Sequence, residues 1–159
     1  PDTGELLGIR AIDVGAAKIK ALKEDIATLG VSRASGEIRI KDRLLFSEDR
    51  TLASTFYPRA PETEVKASVL NVEDGVRNAG ALDVVAINRG DRDGLQAGDT
   101  LAIFKRGDFT KDRVANQRVQ LPDERIGLLM VFYTYEKMSF GLVMEADRQV
   151  DIGDLLSNP

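Results

Sequence analysis

Apolar residues along this chain recur at every second position in short runs, and no stretch of ten or more residues repeats them at helical spacing. Val65, Ala67 and Val69 alternate with lysine and serine, the pattern of a half-buried strand over Val65 to Val72. Leu82 to Asn88 is the most β-like run and lies between Gly80 and Gly90. Leu101 to Lys105, Ile126 to Tyr135, Phe140 to Glu145 and Val150 to Leu156 continue the series, with Tyr135 to Ser139 as a hairpin turn. Nearer the start, Leu6 to Val14 predicts a strand closed by Gly15, and Ala16 to Leu22 fits either a strand or a short helix. Leu29 to Arg33, a turn at Ser35-Gly36 and a return strand over Ile38 to Phe46 follow. Pro58 and Pro61 forbid a helix and a central strand between the two regions. The expected fold is mainly β: two small β modules, barrel- or sandwich-like, joined by a proline-containing linker. Residues 1–48 form the first, 49–63 the linker, and 64–159 the second, with an irregular excursion at 106–125 where large apolar groups are scarce and Pro122 intervenes.

One phrase recurs along the chain. Val31 to Leu44 lies without a gap on Val143 to Leu156, with valine, alanine, isoleucine, aspartate and leucine at matching offsets and Ile38 answering Val150. Leu95 to Leu101 is a weaker third echo. Each copy reads as a strand, a small-residue turn closed by an aspartate, and a return strand. Asp42, Asp99 and Asp154 are therefore expected to be structural turn residues that accept backbone N–H bonds at strand starts. Gly94, Gly98 and Gly153 are expected to shape those turns, and Gly90 and Gly94 to supply positive φ in the tight loop from Arg89 to Leu95.

Composition narrows the function. Of 159 residues, 43% are hydrophobic and 30% charged, the balance of a folded chain rather than a disordered one. The net charge of -4 has interspersed signs and no basic stripe, so a nucleic-acid partner is not expected. Histidine and cysteine are both absent, which excludes serine–histidine and cysteine–histidine catalysis, disulfides and thiolate-bound zinc. The longest apolar run, Ile126 to Phe132, is too short for a helical membrane span. The opening Pro1-Asp-Thr-Gly lacks an initiator methionine, and the chain reads as a piece of a longer protein whose targeting segment would lie elsewhere.

Short motifs reduce to turn chemistry. Asp91-Arg-Asp93-Gly94 suggests calcium, but an EF-hand frame would put Arg89 at its first ligand position and Thr100 at its last, so the frame fails. Gly98-Asp99-Thr100-Leu101 spells the opening of a LysM motif, but a strand-like run follows where LysM needs helices. Scattered carboxylates such as Glu48, Asp49, Asp123 and Glu124 leave a glycosidase pair as an alternative, since spacing alone cannot supply its geometry. Tyr57, Phe132, Tyr133 and Tyr135 could stack on a sugar face, and equally could serve as cross-strand pairs. No catalytic, cofactor-binding or metal-binding residue is assigned.

Four phrases carry a family resemblance: Pro1 to Gly8, Ile40 to Leu45, Val85 to Leu95 and Leu121 to Phe132. In these, nearly the whole chain resembles the region that follows the LysM domain in proteobacterial LysM peptidoglycan-binding proteins. The smaller phrase from Ile87 to Gly98 is also similar to β modules of other envelope proteins. The resemblance implies a periplasmic, non-enzymatic, peptidoglycan-associated scaffold. Glycan binding would reside in a LysM domain outside this chain, no family glycan-binding residue maps onto it, and an envelope protein is a second possible partner. The alternatives are a carboxylate-based cell-wall glycan hydrolase and an assembly module that binds a protein by strand pairing.

Overall fold

A computed structural model describes residues 4–46, 55–72, 78–112, 114 and 116–159. The chain divides into two compact units, one formed by Pro1–Gly8 and Thr51–Pro159, the other by Ile9–Arg50. Residues 1–8 of the expected first module thus group with the larger unit.

The larger unit is a closed six-stranded barrel. Its strands are β3 (Lys66–Val72), β5 (Val84–Ile87), β6 (Thr100–Lys105), β9 (Glu124–Thr134), β10 (Ser139–Ala146) and β12 (Leu155–Ser157). They run around the ring in the order β3–β5–β10–β9–β6–β12, and each neighbouring pair is antiparallel. Closure leaves no edge for unwanted pairing and turns alternate side chains inward. Val69, Val85, Ile87, Leu101, Ile103 and Leu129 are among those that fill the interior, all fully buried.

Short accessory pairs decorate this ring. β4 (Asn78–Ala79) pairs with β11 (Val150–Asp151), and β7 (Phe109–Asp112) with β8 (Gln117–Gln120). Within the 106–125 excursion the described residues include an exposed two-stranded hairpin, with Arg118 stacked 5.3 Å above the Phe109 ring, and the start of β9. Of the expected linker, residues 49–54 lie outside the described residues. The part that follows runs along the barrel: Arg59 bridges the backbone of Asp99, and Pro61 is buried.

The smaller unit contains one hairpin, β1 (Gly15–Lys23) with β2 (Ile26–Ala34). Two expectations change here. Residues 4–14 form no strand, and Gly15 begins one instead of ending one. Leu6, Ile9 and Ile12 recur every third residue, which cannot line one face of a strand whose side chains alternate. Ile38 to Phe46 forms no return strand either, because no neighbour pairs with it among the described residues. Ala16 to Leu22, open between strand and helix, is strand.

Candidate functional site

Among the described residues, five turns share one construction. In each, the backbone N–H of an aspartate bonds to the carbonyl three residues earlier, while its carboxylate accepts the N–H of that same earlier residue. The pairs are Arg39 with Asp42, Gly80 with Asp83, Gly90 with Asp93, Gln96 with Asp99 and Asp151 with Asp154. The carboxylate bonds run from 2.7 to 3.1 Å. A four-residue turn exposes the first residue's N–H, and an aspartate in fourth place satisfies it without a further strand.

Four of the five turns need a left-handed third residue, as type II turns do. Gly98 and Gly153 supply it with φ of 98° and 94°, while Lys41 and Leu82 occupy the same place with φ of 85° and 72°. The fifth, Gly90 to Asp93, is a short 3-10 turn closed by Gly94 at φ 85°. Gly90 itself is extended at φ -142°, contrary to the expected positive φ. It must be glycine because a Cβ there would meet the carbonyl oxygen of Tyr135 and the backbone N of Met138. Asp99 and Asp154 stand directly before β6 and β12, whereas Asp42 precedes no strand. Asp83 and Asp93 follow no glycine directly, although each lies three residues after one.

The two buried turn carboxylates each hold a cation. Arg59 Nε lies 2.8 Å from Asp99, and the Arg59 backbone bonds to Gly98 and Thr100, so the arginine clamps that turn. Lys105 Nζ lies 3.0 Å from Asp154 and 2.5 Å from Asp151, and it also reaches the Gln149 carbonyl. Burial pushes the Lys105 ammonium down, but its bonds to Asp151 and Asp154 outweigh burial and the net shift is upward. The same ammonium holds the Asp151 carboxyl below its ordinary range.

The described N-terminal segment, from Gly4 to Gly8, is fixed on the barrel by Glu5. Arg92 grips its carboxylate with two bonds of 2.8 and 2.9 Å, and Lys137 adds a third contact at 3.1 Å. Arg92 first and Lys137 second pull the Glu5 carboxyl down to about 2.

These carboxylates are committed to turns and ion pairs. A shallow surface depression lined by Glu64, Val65, Lys66, Arg89 and Asp93 likewise has its charges paired internally, Lys66 with Glu64 and Arg89 with Asp93. Among the described residues, no group of three or more carboxylates is placed to hold a metal ion. Tyr133 packs edge-on to Tyr135 at 4.8 Å, and Tyr135 to Phe140 at 6.1 Å.

The recurring phrase marks duplicated structure that extends well beyond it. Gly15 pairs with Ala34, Ala17 with Val31, Ile19 with Leu29, Ala21 with Thr28 and Leu22 with Ala27. Exactly the same register, 112 positions later, pairs Gly127 with Ala146, Leu129 with Val143, Val131 with Gly141, Tyr133 with Phe140 and Thr134 with Ser139. Both bulges recur, with Lys20 and Ser32 as the extra residues in the first hairpin and Phe132 and Met144 in the second. Past the hairpin, Ser35 N–H bonds to the Val14 carbonyl just as Asp147 N–H bonds to that of Ile126. The turn at Asp42 then answers the turn at Asp154. Gly15 and Gly127 share one cause: a Cβ on either would strike the carbonyl oxygen of the facing strand, Arg33 or Glu145.

Equivalent positions differ in their cover. Ile126, Leu129, Val131, Val143, Val150 and Leu156 all belong to the barrel core. Their counterparts Val14, Ala17, Ile19, Val31, Ile38 and Leu44 are again apolar, but Val31 is 59% exposed, Ile38 49% and Leu44 72%. In the hairpin unit the outward positions carry lysine: Lys18 stands for Met130 and Lys20 for Phe132. Compared with known proteins, the sequence matches no protein-family model and no curated protein.

Proposed function

We propose that this chain is a non-enzymatic interaction module of an exported, peptidoglycan-associated protein, the portion that follows a LysM domain, with the barrel as scaffold and the hairpin unit as contact surface. The observation that carries the reading is the contrast between equivalent faces: one fully buried in the barrel, one apolar and exposed in the hairpin unit. An apolar face of this extent on a ribbon that is marginal in water favours contact with another polypeptide. The scaffold role draws support from Asp99 and Asp154, buried carboxylates spent on closing turns and holding Arg59 and Lys105. The envelope setting rests on the resemblance carried by Val85 to Leu95 and Leu121 to Phe132.

Co-sedimentation with purified sacculi tests the reading. The 159-residue chain is expected to stay in solution and a LysM-bearing form to pellet. Pelleting of the chain alone would move the contact surface to glycan and to Tyr133 and Tyr135. Release of muropeptides by the chain would replace the scaffold with the hydrolase alternative. A second reading, assembly by strand pairing, is favoured by the outer edges of β1 and β2, which pair with no third strand among the described residues.

A further inference from the structure

We infer that residues 14–44 are the closing half of a second barrel of the same kind, whose open face takes a three-stranded segment built like β3, β5 and β6 from polypeptide preceding the hairpin. This deepens the reading of the hairpin as a contact surface and rests on it.

The two hairpins are congruent. In the barrel, β9 and β10 do not close on themselves: β6 pairs along the free edge of β9, and β5 along that of β10. After the Asp154 turn, β12 inserts between β3 and β6. The hairpin unit repeats the register, both bulges and the aspartate turn of this half. What it lacks is the half that contributes β3, β5 and β6. Its free edges, apolar inner positions and unpaired Leu44 stretch are what that half covers in the barrel.

The inner face has been retuned as a unit. Gly141 is glycine because a Cβ there would press on Leu129 Cδ1 at 2.8 Å and Ile87 Cδ1 at 3.1 Å. In the hairpin unit Leu29 takes the place of Gly141 and Ala17 that of Leu129, so the bulk moves from one strand to the other and the pair stays filled. An open, solvated face has no reason to keep that compensation, whereas a packed one does.

Chain order names the source. In the barrel the covering strands precede the hairpin in sequence, so the same order places the missing half ahead of residue 14. A second copy fits less well. Its β3, β5 and β6 are already closed on its own hairpin, and two hairpin units face to face would leave all their edges unpaired.

Amide hydrogen exchange tests this on the 159-residue chain and on a tandem form carrying a copy of Thr55 to Asp112 directly ahead of Pro1, which restores the 112-residue spacing. A second tandem form carries Ile87→Ala in the copy, leaving room for Leu29. Amides of Gly15 to Ala34 are expected to exchange rapidly in the chain alone and to slow at least about ten-fold in a tandem form, with the barrel amides of β9 and β10 protected throughout. No slowing in either tandem form would overturn the inference while leaving the contact-surface reading in place. Protection in the chain alone that rises with concentration would make a second copy the occupant and also overturn it. Full protection in the chain alone at every concentration would remove both.

Discussion

Val31, Ile38 and Leu44 in the hairpin unit and Val143, Val150 and Leu156 in the barrel are the same apolar positions of one duplicated element. The first three are about half exposed or more; the last three are at most 1% exposed. The hairpins themselves are nonetheless the same, down to the extra residue at each bulge. Register, bulges and turns in this element are thus set by short-range features: the glycine at Gly15 and Gly127, the two-residue turns at Glu24-Asp25 and Glu136-Lys137, and the aspartate closure. Burial is set by the strands that arrive from elsewhere in the chain. A two-stranded ribbon supplies the first and cannot supply the second.

The largest way to break this comparison is to truncate equivalent inner residues. Val143→Ala, at a position with no exposure, should cost about 2–3 kcal/mol, because it strips a buried side chain from the barrel core. Val31→Ala should cost less than about 0.5 kcal/mol, as exposed substitutions do. Urea unfolding reads both, and a comparable loss for the two would show that the hairpin face is already covered. The turns give the next contrast. Asp154→Ala removes the partner of the Asp151 N–H and of Lys105 and should cost about 2 kcal/mol. Asp42→Ala, in an exposed turn without an ion pair of that kind among the described residues, should cost about 0.5 kcal/mol or less. Equal shifts in midpoint would mean that the cation and burial add nothing.

A smaller effect sharpens the turn chemistry itself. Leu82, exposed, holds the left-handed position that glycine takes in the sister turns. Leu82→Gly should therefore stabilise by about 0.5 kcal/mol, the relief of left-handed strain less the entropy of glycine. Gly153→Ala should destabilise by about 1 kcal/mol for the reverse reason. Thermal melts of the two variants should move in opposite directions. The smallest effect belongs to Glu5. Its carboxyl is lowered to about 2, so its contribution is present above its ordinary value near 4.5 and fades as pH falls toward 2. The melting difference between the parent and Glu5→Gln should narrow over that window and be constant above it.

Strands β3, β5, β6, β9 and β10 were legible because their apolar residues alternate or run together between turn residues. The start of the chain was not, since Leu6, Ile9 and Ile12 offer apolar residues at a spacing no strand face can use. Asp42, Asp99 and Asp154 stood out through the repeated phrase. Asp83 was hidden because Leu82 occupies a place that sequence reasoning reserves for glycine, and Asp93 because it closes a 3-10 turn without a left-handed third residue. The duplicated hairpin was hidden by its outer face, where Lys18 replaces Met130 and Thr28 replaces Phe140, and by the exchange of bulk between Ala17–Leu29 and Leu129–Gly141. Backbone geometry survived those changes; letter-by-letter similarity did not.

That exchange of bulk constrains how the two copies could have diverged. Passing from a Leu–Gly pair to an Ala–Leu pair takes at least two mutations, and in a packed copy neither intermediate is neutral. Losing the leucine first leaves a void costing about 2–5 kcal/mol, while gaining the second leucine first overfills the site at about 1–3 kcal/mol. The crowded ancestor is the one selection more readily tolerates. The two positions are therefore epistatic, and homologues of this chain should vary at them together rather than one at a time.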